Sequence, residues 1–142
     1  MPDKGILRII DANFNRCKEG LRVIEDLFRF AAEEESLRKK TRAYRHSLDK
    51  LTRSKTLRKA LSCRNSIKDP GRKVDDLELQ RKNTSDLFYV NFQRVKESLR
   101  VMEECFKLVE PAYVSLVKKI RYDTYTLEKK AFIGKAFIRP DR

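Results

Sequence analysis

Apolar residues at Ile10, Phe14, Cys17, Leu21, Ile24, Phe28 and Ala31 step alternately by four and three positions. That spacing places them in one stripe of an amphipathic helix. Phe88, Phe92, Val95, Leu99, Met102, Phe106 and Val109 repeat the stepping, each 78 residues later. The likeness extends to the residues between: Asn13–Phe30 reads NFNRCKEGLRVIEDLFRF, Asn91–Leu108 reads NFQRVKESLRVMEECFKL, and ten of the eighteen positions are identical. A second echo follows at an offset of 79, where Arg42 and Ser47-Leu48-Asp49-Lys50 match Arg121 and Thr126-Leu127-Glu128-Lys129.

Leu37, Thr41, Tyr44, Leu48 and Leu51 give a second helix its stripe, and Tyr113, Leu116, Val117, Ile120, Thr124, Leu127 and Ala131 give a fourth. Glu110-Pro111 marks the start of that last helix, because proline is tolerated at the first helical position. The longest break in periodicity runs from Ser62 to Asn83 around the turn signal Asp69-Pro70-Gly71. No strand pattern of any length competes. The pattern predicts an all-α domain over residues 1–142, with four long helices as two repeated αα-hairpins (6–51 and 84–131) packed as a bundle. A central loop over 62–83 crosses between them, and connections this long are often functional.

Charge adds an anionic ligand to this picture. Lys and Arg number 34 against 21 Asp and Glu, a net charge of +13. The stretch from Arg38 to Lys82 holds sixteen of the basic and five of the acidic residues, so it carries most of the excess. Such asymmetry points to a polyphosphate or a nucleic acid, or to a solvated basic helix face. Tyr44 is the one aromatic there, which argues against stacking of single-stranded bases, while binding to a phosphate backbone stays open. Cys17, Cys63 and Cys105 are odd in number and without a C-x-x-C, so reduced structural thiols are expected rather than a disulfide framework or zinc site. No apolar run reaches membrane-spanning length, and no signal-peptide core follows Met1-Pro2-Asp3-Lys4, so the cytoplasm is the expected compartment.

The two copies share polar residues as well as the stripe. Asn13, Arg16, Glu19, Arg22 and Glu25 reappear as Asn91, Arg94, Glu97, Arg100 and Glu103. At about 100° per residue, Asn13 and Gly20 lie beside the apolar face and Glu25 borders its other side. Two inherited copies of a site or of a buried polar network would look like this. Glu19–Arg22 and Glu97–Arg100 also read as surface pairs at i,i+3 spacing, and descent alone can preserve them.

His46 is the sole histidine, which excludes the usual Ser-His-Asp and Cys-His hydrolases and His-rich metal sites; it is expected to be packed or exposed rather than catalytic. Gly5, Gly20, Gly71 and Gly134 are isolated, so neither a P-loop nor G-x-G-x-x-G can be written. A nucleotide would be held by side chains. Phosphoryl transfer remains open to this composition, since it demands positioning, Mg²⁺ and cationic neutralisation, for which arginine is suited.

Arg8-Ile9-Ile10-Asp11-Ala12-Asn13, continuing through Arg16, Glu19-Gly20-Leu21-Arg22-Val23 and Glu25-Asp26, resembles the small helical hydroxymethylpyrimidine-phosphate kinase family of thiamine biosynthesis. That domain occurs alone or fused in front of thiamine-phosphate synthase. The resemblance continues through Tyr44-Arg45-His46, Arg64-Asn65-Ser66-Ile67-Lys68-Asp69-Pro70-Gly71, Asn91, Arg94, Glu97, Leu99-Arg100-Val101-Met102-Glu103-Glu104, Arg121-Tyr122 and Tyr125-Thr126-Leu127-Glu128, covering about residues 6–130. Two loop positions depart from it, Asn65 where an acidic residue is expected and Pro70 where an aliphatic one is.

The resemblance implies ATP-dependent phosphorylation of 4-amino-5-hydroxymethyl-2-methylpyrimidine phosphate to its diphosphate. The synthase barrel is absent from these residues, so joining pyrimidine to thiazole is not expected of them. On the matched positions, Arg16, Arg64 and Arg94 would neutralise phosphate groups, and Glu25, Glu103 and Asp69 would offer oxygen ligands to Mg²⁺. Asn13 and Asn91 would meet the aminopyrimidine edge or orient those carboxylates, with Ser66 as a further substrate contact. The acceptor is a phosphate monoester and needs no general base. The rival reading is a non-catalytic basic helical module that binds nucleic acid, a partner protein or the pyrimidine phosphate without transfer. Long amphipathic helices with a duplicated pattern are also compatible with self-association.

Overall fold

A computed structural model describes residues 3–134, and within them the chain is helical throughout its regular structure. Asp3 opens the first helix, its carboxylate accepting from the Gly5 N–H at 2.5 Å, which satisfies one of the orphan donors of a helix start. This helix, α1, runs Lys4–Asp26 and passes into a π-helical turn over Leu27–Ala31, closed by Glu33 in the left-handed region at φ 53°. Helix α2 spans Glu35–Leu48 and tightens into a 3₁₀ turn, Asp49–Arg53. Ser54 then caps a short α3, Lys55–Ser62, accepting from the Leu57 N–H at 3.1 Å. After an irregular connection, Asn83 caps α4, Thr84–Val109, with the Asp86 N–H 2.9 Å away. Pro111–Tyr113 form a 3₁₀ turn that leads into α5, Val114–Ile133.

The all-α expectation holds; the count of four helices does not. Five α-helices form among the described residues, because Ser54 takes an extended conformation and starts a separate eight-residue helix where no periodicity was legible. The ends of the expected 1–142 domain, residues 1–2 and 135–142, lie outside the described residues, as do Met1 and Pro2 of the expected leaderless start. No helix among the described residues is long and apolar enough to cross a membrane.

Helices α1 and α4 pack along most of their length, α2 and α3 lie on α1, and α5 lies on both α4 and α2. One apolar cluster draws on all five helices. The predicted stripes supply most of it, from Ile10 to Phe28 and from Phe88 to Phe106, while Ala31 at the end of the π-helical turn is exposed. Phe28 and Phe88 meet with ring centroids 4.9 Å apart, within the range of favourable aromatic pairs. Glu110 ties the end of α4 to the start of α3, accepting from the Ser54 hydroxyl at 2.5 Å.

The sequence repeat is mirrored in matched contacts. Lys18 reaches Asp49 at 2.5 Å, and Lys96 reaches Glu128 at 2.7 Å, each strapping the first helix of a half to the end of its second. At the α1–α4 crossing, Gly20 packs against Val95, and Ser98 stands beside the Cys17 thiol. Shifting either pair by 78 residues gives the other, the interchange expected of helices related by an approximate two-fold axis. Burial pushes the Cys17 thiol up to about 12, so it is an inert core group.

Candidate functional site

One open side of the α1–α4 pair is a continuous groove formed of two chambers. The larger, about 780 Å³, is walled by α1 residues Arg8, Asp11, Asn13, Arg16 and Glu19 and by Arg64, Ser66 and Asp69 from the connection after α3. The smaller, about 440 Å³, is walled by Asn13 and Arg16 from α1 and by Tyr89, Gln93, Arg94, Glu97 and Ser98 from α4. Asn13 and Arg16 belong to both, so they stand at the junction.

The tightest contact on this wall joins Arg64 to Asp11. The guanidinium Nε donates to Asp11 Oδ2 at 2.6 Å and Nη2 to Oδ1 at 2.7 Å, the two-pronged geometry that orients an arginine most rigidly. Asp11 is 5% exposed, whereas 43% of the Arg64 side chain is open to the groove. The rest of the segment is shaped locally: Asn65 Oδ1 accepts from the Lys68 N–H at 3.2 Å, and Asp69 Oδ1 from the Gly71 N–H at 2.8 Å. The two positions that depart from the expected motif fit this path, Asn65 by closing a turn and Pro70 by starting a 3₁₀ turn.

Other charges in the groove face it without ion-pair partners. Among the described residues Arg8, Arg16, Arg94, Glu19 and Glu97 make no salt bridge, and Arg16 has only a 3.5 Å contact to Asn13 Oδ1. This corrects the expected i,i+3 pairing. Arg22 instead leans on Asp26 at 3.4 Å, and Arg100 on Glu103 and Glu104 at 3.6 and 3.9 Å, so Glu19 and Glu97 are left to the groove.

Six of the nine residues singled out from the sequence thus line this groove: Asn13, Arg16, Arg64, Ser66, Asp69 and Arg94. The other three are elsewhere. Asn91 is buried, its amide donating to the Leu87 carbonyl at 2.8 Å, as Asn13 donates to Ile9 at the same distance. Glu25 is taken up by Arg45 at 3.0 Å and Glu103 by Arg121 at 2.8 Å, each pair joining the two helices of one half. Burial acts to raise the Glu103 carboxyl, but the hydrogen bond and charge of Arg121 outweigh it and hold the group below the ordinary range. Glu25, Glu103 and Asp69 are therefore not gathered, and no group of three metal-ligating side chains forms among the described residues. Arg121 matches Arg42 in the repeat, yet Glu25 pairs with Arg45, one turn further on; the copies have diverged here. His46 is exposed.

Sequence reasoning gave no role to Arg8, Asp11, Tyr89 or Gln93. The signal was present in the differences between the copies: just ahead of the repeated segments Arg8 aligns with Asp86 and Asp11 with Tyr89.

The groove can hold phosphate groups. Four arginines suit oxyanions; of the four carboxylates on the same walls Asp11 is engaged by Arg64, and Glu19 and Asp69 offer the one or two that a phosphate-bound Mg²⁺ ordinarily uses beside water.

Curated relatives carry a consistent description. A thiamine-phosphate synthase of Gloeobacter violaceus is 39% identical over 130 residues, covering 91% of this chain and 37% of the relative. Those of Synechocystis and Nostoc punctiforme are 39% and 38% identical over 124 residues, each covering 87% of this chain and 35% and 34% of the relative. The chain spans little more than a third of the length of these proteins. No solved structure matches it. The ThiD2 family model matches residues 8–130, which reach from α1 to α5 and hold most of the groove lining, and the chain belongs to that family.

Proposed function

We propose that the α1–α4 groove is the active site of a small-molecule kinase of thiamine biosynthesis. It transfers the γ-phosphoryl group of ATP to 4-amino-5-hydroxymethyl-2-methylpyrimidine phosphate. The observation that carries this reading is the convergence of Arg8, Arg16, Arg64 and Arg94 on one groove with two chambers. The name the relatives carry, thiamine-phosphate synthase, supports the pathway.

A phosphate monoester brings its own anionic nucleophile, so the absence of a histidine from the groove among the described residues is no obstacle. What this chain supplies is charge neutralisation and alignment. Arg64, fixed by Asp11, presents the remainder of its fork to the negative charge that spreads over the transferred group. Arg16, at the junction, touches both donor and acceptor phosphates, and Arg94 faces it from α4. Glu19 and Asp69 would hold the Mg²⁺ that accompanies a nucleotide, directly or through water, and the ion would add to the neutralisation of the phosphates.

The test is ADP release by the purified protein with ATP, Mg²⁺ and the pyrimidine monophosphate. Turnover is the expected result. Its absence, in protein that still binds the monophosphate, moves the function to a ligand-binding module. A nucleic-acid surface has less support, since Arg38 and Arg45 of the basic stretch are committed to Glu35 and Glu25.

A further inference from the structure

The two ends of the groove come from equivalent parts of a repeat, and they have diverged in chemistry. Around the larger chamber stand Arg8 and the Arg64–Asp11 pair, with Ser66 and Asp69. At the smaller chamber the position equivalent to Asp11 is Tyr89, and that of Arg8 is Asp86, which caps its own helix start by accepting from the Lys82 N–H at 3.0 Å. One end thus sets three arginines, Arg8, Arg16 and Arg64, beside the carboxylates Asp11, Glu19 and Asp69, a set suited to a polyphosphate that arrives with a divalent cation. The other has an aromatic ring, the apolar edge of Val90, the cations Arg16 and Arg94, and two side chains able to accept hydrogen bonds, Gln93 and Glu97.

Gln93 Nε2 donates to Glu128 Oε2 at 2.9 Å, and because a carboxylate can only accept, the amide orientation is fixed and leaves the Gln93 carbonyl oxygen as acceptor. Glu97, exposed on the same wall and without an ion pair among the described residues, adds two more acceptor oxygens. Tyr89 offers an aromatic face beside them. Together they suit a flat ring that bears an exocyclic amino group.

Resting on the kinase reading, we infer that the smaller chamber is the aminopyrimidine subsite. Tyr89, Gln93 and Glu97 take the ring, Arg16 and Arg94 take its single phosphate, and the triphosphate of the nucleotide occupies the Arg8–Arg64–Asp69 end. Size agrees with this order. About 440 Å³ with two arginines fits a one-ring monophosphate, and about 780 Å³ with three arginines fits the longer polyanion. The ring's amino group is then what the enzyme reads: an oxo analogue would set a carbonyl against the oxygens of Gln93 and Glu97, and acceptors facing one another reject strongly.

Titration calorimetry of the full chain tests this without requiring turnover, using the aminopyrimidine monophosphate alone and Mg·ATP alone. Glu97→Leu and Tyr89→Leu are expected to weaken the monophosphate by about tenfold or more and leave Mg·ATP within about twofold, with Arg8→Ala doing the reverse. Glu97 is exposed and has no ion pair among the described residues, so that variant tests the subsite even if Tyr89→Leu fails to fold. The 4-oxo analogue is expected to bind the wild type at least about a hundredfold more weakly than the amino compound. Loss of Mg·ATP binding in Glu97→Leu, loss of neither ligand, or equal binding of the oxo analogue overturns the assignment. The predicted binding pattern in a protein that releases no ADP upholds the subsite and sinks the kinase reading instead.

Discussion

Asp11 grips both prongs of the Arg64 guanidinium, at 2.6 and 2.7 Å, across 53 residues of chain. Through this pair a helix of the first repeat holds the segment that follows α3 against the groove, and it does so with a buried acid and a half-open base. A charge aimed in advance at a phosphate is worth more than one that must be ordered during the reaction.

Arg64→Ala is therefore expected to lower kcat by roughly a hundredfold or more, with a melting temperature within a few degrees of the wild type because water can reach the vacated Asp11. Arg64→Lys should recover little, since an ammonium cannot bridge both Asp11 oxygens and still face the groove. Asp11→Asn should reproduce most of the loss while Arg64 is still present. Steady-state kinetics on the three variants decide this; near-normal turnover in Arg64→Ala removes the residue from the mechanism.

The Glu103–Arg121 pair makes a prediction about acid. Glu103 is 2% exposed and its carboxyl lies below the ordinary range in the folded protein. A depressed carboxyl pKa contributes stability that is present above the unfolded-state value and is lost as pH falls through the folded one. Glu103→Gln should be clearly less stable near neutrality, and the gap to wild type should narrow as pH drops through the carboxylate range. Arg121→Ala, which strands the buried charge, should cost about 3–5 kcal/mol near neutrality. Urea denaturation of each protein at several pH values measures both effects; a gap that does not change with pH is the contrary result.

Gly20 makes the third. A methyl group there would lie 2.8 Å from Val95 Cγ2, which is fully buried and branched at Cβ, so it has little freedom to turn aside. Alanine favours a helix over glycine by about 1 kcal/mol, yet Gly20→Ala is expected to lose about 1–3 kcal/mol on balance through overpacking at the crossing. Adding Val95→Ala should relieve the clash, so the double variant should be more stable than the sum of the two single effects implies. Denaturation midpoints of the three proteins provide the check.

Much of the fold could be read because the two long helices repeat a stripe that matches the helical period, and residues from Ile10 to Phe28 and from Phe88 to Phe106 are indeed the core. The reading failed where the period is interrupted. Ala31 continues the arithmetic of the stripe but sits in a π-helical turn, which rotates it outward. Helix α3 is eight residues long, too short for Leu57 and Ala60 to declare a face. In the site, the helical angle between Asn13 and Glu25 already sets them apart. Asn13 flanks the stripe on one side and Glu25 on the other, so Glu25 meets α2 and Arg45 rather than the groove. Arg64 and Asp11 are 53 positions apart, and no periodicity within a helix could pair them.

The straps Lys18–Asp49 and Lys96–Glu128 hold corresponding helices in corresponding registers, although the groove walls they support are unlike. An assembly of two identical half-length chains would be forced to present the same wall twice, because any codon change would appear at both ends together. Fusion of the copies into one gene removes that constraint. Codon 8 can specify arginine while codon 86 specifies aspartate, and codon 11 can specify aspartate while codon 89 specifies tyrosine. Each end is then free to change by itself on a scaffold whose straps stay matched, and a groove with a direction emerges from a duplication that had none.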